Sequence, residues 1–440
     1  MNVLAEELNA VLDGTVAGRL MSQLGRRLYF PNGIVAQSTE AKKAAHNADA
    51  TIGTAMSGGR PLILSAIADS MPTLGPEQSV GYAPTAGVEK VRMVWKDLII
   101  KKNPLLSPDH ISLPVVVPGL TSGLSCMADI FLDESQVMIS SDPCWDNYSL
   151  IFEERRGGAL RGVSFFGPPE GENSGGLDME RIAAAIRKEA KTGTVRIILN
   201  FPNNPSGYSP TEKEAEAFAA LVLDAAEGGA DVLVLCDDAY FGLFYEESIY
   251  QASLFSILAN LHERVLAVKV DGPIKEDYVW GLRTGFVTFG SRGLGASHYD
   301  ALITKLMGAI RSSVSCANTP AQYIIIDAME DPRTPLEKIN FQVMLQRRYE
   351  AVKNFIREHP HHRVLKPLPF NSGYFMCFRC EGVNAEALRR TLLQNKGIGV
   401  VALGKDCLRI AYSGLDEEQI APVYRTVYDT AAEMLGTAKG

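Results

Sequence analysis

Between about residues 75 and 320 the chain alternates two hydrophobic patterns. Short β-branched runs occur at Val115–Val117, Val137–Ser140, Val195–Leu199, Val232–Leu235, Val265–Val270 and Phe286–Phe289. Segments with apolar residues at helical spacing separate most of them, for example Met179–Lys191 and Thr211–Ala226. Continuous apolar runs suit strands buried on both faces, so the pattern predicts an α/β fold with a largely parallel sheet covered by helices. In such sheets ligands sit beyond the carboxyl ends of the strands.

After residue 320 the pattern changes. The spacing predicts a long helix over Pro335–His359, a strand over Ser372–Phe378 and a helix over Asn384–Gln394. A strand over Leu408–Tyr412 and a last helix from Asp416 to about Leu435 follow. This reads as a second, smaller α+β unit. The first 70 or so residues precede the sheet and hold no βαβ unit of their own, so they are expected to pack with it. The division is therefore a large domain over 75–320 and a discontinuous small domain from 1–74 and 321–440.

Composition sharpens the class. A chain of 440 residues exceeds what one hydrophobic core holds. Its net charge of −8 argues against a nucleic-acid or anionic-membrane partner. At the amino terminus Leu4, Leu8 and Leu12 alternate with Glu6, Glu7 and Asp13, which is helical spacing and not a basic, then apolar, leader. No apolar run approaches the ~20 residues of a membrane helix, and a cytoplasmic protein is expected. The seven cysteines are odd in number and irregularly spaced, which suggests reduced thiols. Cys377-x-x-Cys380 has no second pair or nearby His, so it reads as buried packing and no metal site is expected.

Five segments carry chemistry at strand ends. Asn200-Phe-Pro-Asn-Asn-Pro-Ser-Gly207 follows an apolar strand; it suits a turn, and it can also aim an Asn amide at a ligand. Asp237, in Asp237-Asp-Ala-Tyr240, ends another apolar strand; there a carboxylate is costly unless it caps a helix or pairs with a buried cation. Lys275 lies past a third, eight residues before Arg283 in Gly281-Leu-Arg283-Thr-Gly285. Gly119-Leu-Thr-Ser-Gly123 precedes a helix-like run, whose first amides bind phosphate. Trp145, in Pro143-Cys-Trp145, follows a strand and is either core or a platform for a planar ring. Gly290-Ser-Arg-Gly-Leu-Gly295 has the wrong spacing for a dinucleotide turn and no suitable helix is expected after it.

In this order the segments resemble the class I/II aminotransferases of fold type I, which use pyridoxal 5'-phosphate (PLP). The resemblance runs from about Ile52 to Arg409, strongest at Asn204-Pro-Ser-Gly207, Asp237-x-x-Tyr240 and Lys275 with Arg283. It implies a large domain built on a mostly parallel seven-stranded sheet and a homodimer with composite sites. It implies that Lys275 forms the Schiff base, that Asp237 keeps the pyridine nitrogen protonated, and that Asn204 and Tyr240 hold the ring's phenolate oxygen. Trp145 would stack on the ring. Arg283 and the amides of Leu120 and Thr121 would form the phosphate cup, which Tyr82 of a second subunit completes. Arg409 would grip the substrate carboxylate with the backbone of Gly53, and Asn204 and Trp145 would face the substrate. Arg311 lies near where aspartate enzymes place an arginine that reads a side-chain carboxylate from the neighbouring subunit, and it also suits a surface or structural arginine.

Three departures stand out. Gly272, Pro273 and Ile274 replace serines before the lysine, so one phosphate hydroxyl is missing and another donor must compensate. Ser206 stands where threonine is common. Tyr148 occupies a place that can be histidine, where a phenol can back Asp237 as a neutral donor. The expected reaction is amino transfer between an L-amino acid and a 2-oxo acid. The same constellation also serves a C–S lyase or another Cα-carbanion enzyme. A regulatory module carries a basic DNA-binding domain in front, and the stretch before residue 75 is short and not strongly basic.

Overall fold

The apolar runs form one sheet in a computed structural model, which describes residues 34–51, 53–70, 73–167 and 175–437 with Asn2, Val3, Glu6, Glu7 and Ala10 before them. Of the expected first helix, Leu4, Leu8, Leu12 and Asp13 lie outside the described residues. The strands are β1 Val115–Val117, β2 Val137–Ser141, β3 Ala159–Val163, β4 Thr194–Asn200, β5 Asp231–Asp237, β6 Val265–Asp271 and β7 Gly285–Gly290. Their spatial order is β1-β7-β6-β5-β4-β2-β3. β7 runs antiparallel to β1 and β6, and the remaining pairs are parallel. Six of the seven strands were expected from their apolar runs. β3 has no such run because it is an edge strand, mostly uncovered, and carries Arg161 and Gly162.

Side chains alternate across a strand, so each strand feeds two cores. On β5, Val232, Val234 and Cys236 pack with helices α1 (Glu89–Lys102), α3 (Met179–Ala190) and α4 (Glu212–Glu227). Leu233 and Leu235 pack on the other face, with α2 (Leu120–Phe131) and α5 (Ala296–Ser313). The same parity places Asp237 on the α2 face. On β6, Val268 and Val270 lie on the α2 face, while Val265 and Ala267 lie on the other. Lys269 and Asp271 share the parity of Ala267, on the face away from Asp237.

Local signals set the helix ends. Thr211 caps α4 in a capping box with Glu214, whose Oε2 accepts the Thr211 amide at 2.8 Å. The helix therefore begins one residue later than its apolar spacing suggests. Contrary to expectation, a helix does follow Gly290–Gly295: α5 starts at Ala296. Because β7 is antiparallel, Gly290 pairs with Ala267 near the start of β6, and that turn lies at the far end of the sheet from the carboxyl ends.

A second, antiparallel sheet has the order β8-β9-β11-β10, from β8 Leu365–Pro367, β9 Phe375–Cys380, β10 Val401–Leu403 and β11 Cys407–Ala411. Helices α6 (Thr334–Glu358) and α7 (Glu417–Thr437) share its core through Leu345, Tyr349, Val352, Tyr424 and Val427. β9 starts three residues later than predicted, because Gly373 takes a left-handed turn at φ 73°. Cys377 and Cys380 consequently lie within the strand, both buried. Ala48 and Asp49 pair in parallel with Ile398 and Gly399, and Gln37 Nε2 donates to the Ala402 carbonyl at 2.9 Å, joining the early chain to this sheet. Among the described residues no helix is long and apolar enough to cross a membrane.

Candidate active site

The carboxyl edge of the large sheet faces the second sheet across a cavity of about 260 Å³. Asp237 is the last residue of β5 and is 3% exposed. Its Oδ2 accepts a 2.6 Å hydrogen bond from the Tyr148 hydroxyl, the neutral donor expected at that place. Its Oδ1 is buried and has no partner among the described residues. Burial pushes this carboxyl up to about 6, against the Tyr148 hydrogen bond and the nearby Lys275 charge.

Lys275 lies four residues past β6 and lines the same cavity. Burial lowers its ammonium to about 8; Asp237 pulls it back up and Arg283 pushes it further down. Its Nζ sits 5.2 Å from the centre of the Tyr240 ring. The Tyr374 hydroxyl donates to the Lys275 carbonyl at 2.8 Å and anchors the loop. Lys269 is differently placed. It is buried on the opposite face, in ion pairs with Asp238 and, at 3.5 Å, with Asp271. Asp271 also accepts the Trp95 indole N–H at 2.9 Å. Lys269 is thus a satisfied structural cation, and Lys275 is the amine left facing a cavity.

One end of the cavity suits an anion. Leu120 and Thr121 open α2, where backbone amides lack intrahelical acceptors and the helix end is positive. Gly119 precedes them at φ 83°, and a Cβ there would come within 2.5 Å of Arg283 Nη2. Only glycine lets the guanidinium approach the helix end. Arg283 itself is left-handed at φ 51°, and its Nη1 donates to the Trp280 carbonyl at 3.2 Å. Trp145 lines the cavity edge-on to Tyr148, with ring centres 5.5 Å apart.

The opposite wall comes from the second sheet. Arg409, on β11, is 2% exposed. Its Nη1 donates to Asn204 Oδ1 at 2.8 Å and its Nη2 to the Thr51 carbonyl at 3.0 Å. The guanidinium stacks on Phe375, 4.2 Å from the ring centre. Both hydrogen-bond partners are neutral, so the charge is available to a carboxylate. Gly53 lines this wall, and a Cβ there would meet Phe375 at 3.1 Å and the Tyr240 hydroxyl at 3.4 Å. Tyr240 is buried against Phe375, and burial raises its phenol above the ordinary value while Arg409 opposes.

The fold thus brings Gly53, Leu120, Thr121, Trp145, Asn204, Asp237, Tyr240, Lys275, Arg283 and Arg409 to one cavity. Tyr82 is not among them. It is 94% exposed on the loop after the helix Pro76–Val80. Arg311 is also outside, exposed near the end of α5, where it donates to Ser315 Oγ at 3.0 Å. Among the other cavity residues, Asn200, Trp280 and Phe375 had no individual role assigned from the sequence. Asn200 ends β4, accepts the Asn204 amide at 2.7 Å and donates to the Asp237 carbonyl at 2.8 Å, tying two site loops together. Trp280 and Phe375 complete the walls. The available signals were the position of Trp280 between Lys275 and Arg283 and that of Asn200 at the head of the Asn200–Gly207 segment.

This donor set fits a phosphorylated, ring-bearing aldehyde: an amine for the carbonyl, a lone carboxylate oxygen for a protonated ring nitrogen, and an anion cup. The known proteins that the chain is similar to are aminotransferases. A probable aspartate/prephenate aminotransferase of Aquifex aeolicus is 24% identical over 371 residues, 81% of this chain and 85% of its own. An aspartate aminotransferase of Bacillus subtilis is 24% identical over 385 residues, 84% of this chain and 86% of its own. The crystal structure of an aminotransferase from Anaerococcus prevotii shares the fold, with a TM-score of 0.79 at 21% identity over 92% of this chain and 98% of that one. The family model for aminotransferase class I and II matches residues 63–427, and the protein belongs to that family.

Proposed function

We propose that the protein is a PLP-dependent aminotransferase that moves an amino group between an L-amino acid and a 2-oxo acid, with Lys275 as the attachment point. One observation carries the reading. A buried amine of lowered pKa shares a cavity with a carboxylate that keeps one oxygen unpartnered among the described residues. When bound, PLP supplies a carbonyl that condenses with amines and a protonated ring that accepts electrons from Cα.

The chain's own residues do the rest. Asp237 would hold the ring-nitrogen proton through Oδ1, while Tyr148 fixes the other oxygen. Asn204 offers its amide N–H to the ring oxygen because its Oδ1 is already taken by Arg409. The Tyr240 phenol donates to the same oxygen. Trp145 covers the ring face. The amides of Leu120 and Thr121 and the Arg283 guanidinium hold the phosphate. Arg409, with the Gly53 backbone, would bind the substrate carboxylate and so fix the orientation of Cα in the cavity. Lys275 would hold the cofactor through its amine, and that amine, lowered by burial to about 8, would serve as the general base that moves a proton at Cα.

A homodimer with shared sites belongs to this reading. Its support is Tyr82, too exposed to serve its own cavity and free to enter another. We place residues 75–320 in the cofactor domain and 1–74 with 321–440 in the second domain; their separate sheets support the division, while the cores meet across it, with Tyr240, Leu243 and Tyr278 in the second core and Ile325 and Ile326 in the first. The test is a panel of amino donors with 2-oxoglutarate. The donor's 2-oxo acid should form only when the acceptor is present. Ammonia release without an acceptor would replace amino transfer by elimination. A preference for dicarboxylic donors would make Arg311 the residue to examine next.

A further inference from the structure

Trp280 stands five residues past Lys275 and three before Arg283, and it lines the cavity with Leu120 and Thr121. Its indole Nε1 is buried without a hydrogen-bond partner among the described residues. Buried indole N–H groups normally find an acceptor, as Trp95 does in Asp271. The ring is held in place by its neighbours. Tyr278 packs edge-on against it at 5.9 Å, and Phe341 backs Tyr278 at 5.0 Å. Arg283 binds the Trp280 carbonyl, so indole and guanidinium belong to one turn.

The cavity is short of hydroxyl donors where an anion would lie. Gly272, Pro273 and Ile274 carry none. Gly272 has no room for one, since a Cβ there would meet the Thr284 carbonyl at 2.9 Å and Leu120 at 3.1 Å. Thr121 is the one Ser or Thr among the cavity-lining residues. We propose that the Trp280 indole N–H donates to the phosphate of the bound cofactor and supplies the contact missing before Lys275. This rests on the PLP reading above. The donor is neutral and points from a packed ring, so it adds a directed hydrogen bond without adding charge beside Lys275.

The experiment compares PLP with pyridoxal, which lacks the phosphate, as ligands of the cofactor-stripped full-length protein. Binding is followed by absorbance, independently of turnover. Trp280→Phe keeps an aromatic ring and removes the N–H. Its dissociation constant for PLP should rise roughly ten- to a hundredfold, the worth of a hydrogen bond to a charged group, with pyridoxal binding unchanged. Equal losses for both ligands, or no loss for PLP, overturn the proposal and leave the PLP reading standing. Failure of the unmodified protein to bind PLP overturns the PLP reading itself. A second measurement does not depend on the variant folding. The chain has three tryptophans, so indole-¹⁵N labelling gives three N–H signals, assigned through Trp95→Phe and Trp145→Phe. PLP should move the Trp280 signal downfield and pyridoxal should not; an unmoved signal overturns the proposal.

Discussion

Tyr148 donates a 2.6 Å hydrogen bond to Asp237 Oδ2, across 89 residues of sequence, while Asp237 Oδ1 has no partner among the described residues. The phenol pins the carboxylate without competing for its charge. Tyr148→Phe removes a bond that holds the carboxyl down, so Asp237 should titrate above its present value of about 6. Only the ionised form pairs with a protonated ring nitrogen. The acid limb of cofactor affinity against pH should therefore move upward by about one unit, as loss of a ~1–2 kcal/mol bond to the charged form requires. A limb that stays in place or moves downward contradicts this role.

Asp237 also strains the cofactor-free fold. Its folded pKa is raised, so the folded state keeps the proton more tightly than the unfolded state. Stability then falls as pH rises from the ordinary carboxylate range through about 6. Asp237→Asn removes that ionisation cost and still accepts from Tyr148. Above this window the cofactor-free variant should be more stable than the parent, by something on the order of 2 kcal/mol. Near pH 4 the gain should vanish. Thermal melts at the two pH values check the sign, and the same variant should lose PLP affinity.

Lys275 and Lys269 should respond in opposite ways. Borohydride reduction of the cofactor-loaded protein should fix the cofactor to the peptide bearing Lys275. Lys275→Ala should lose several orders of magnitude in turnover with little change in folding stability, because it removes a buried amine already poorly solvated. Lys269→Ala leaves Asp238 and Asp271 buried without their cation, at a cost of about 3–5 kcal/mol in urea denaturation. Labelling of Lys269, or normal turnover in Lys275→Ala, would falsify the assignment.

Arg409 binds Asn204 and the Thr51 carbonyl and rests on Phe375. Arg409→Ala should raise KM for the amino donor by the equivalent of about 2–5 kcal/mol and leave the cofactor absorbance intact. Arg409→Lys should not rescue it, since an ammonium cannot reproduce the planar fork. Unchanged steady-state kinetics in either variant would remove Arg409 from the substrate site.

Much of the sheet could be read along the chain because its cause is local. A strand buried on both faces needs a mostly apolar run, and β1, β2, β4, β5, β6 and β7 each have one, even where Arg196, Lys269 or Thr288 interrupts it. The residues that end those runs were legible for the same reason. Asp237 after Cys236 and Asn204 after the β4 run are polar groups where burial permits them only with partners. β3 was not legible, since a half-exposed edge strand has no comparable pattern.

The partnerships were decided only by the tertiary structure. Lys269 and Lys275 both lie near the end of one apolar run. Which of them meets the cavity depends on strand parity and on which helices cover each face. Asn200 reaches the Asp237 carbonyl because β4 and β5 align Asn200 with Asp237. Arg409 reaches Asn204 from another sheet, 205 residues away. Periodicity reports the environment of a residue's own element, whereas register and the docking of separate elements depend on contacts that no local pattern records.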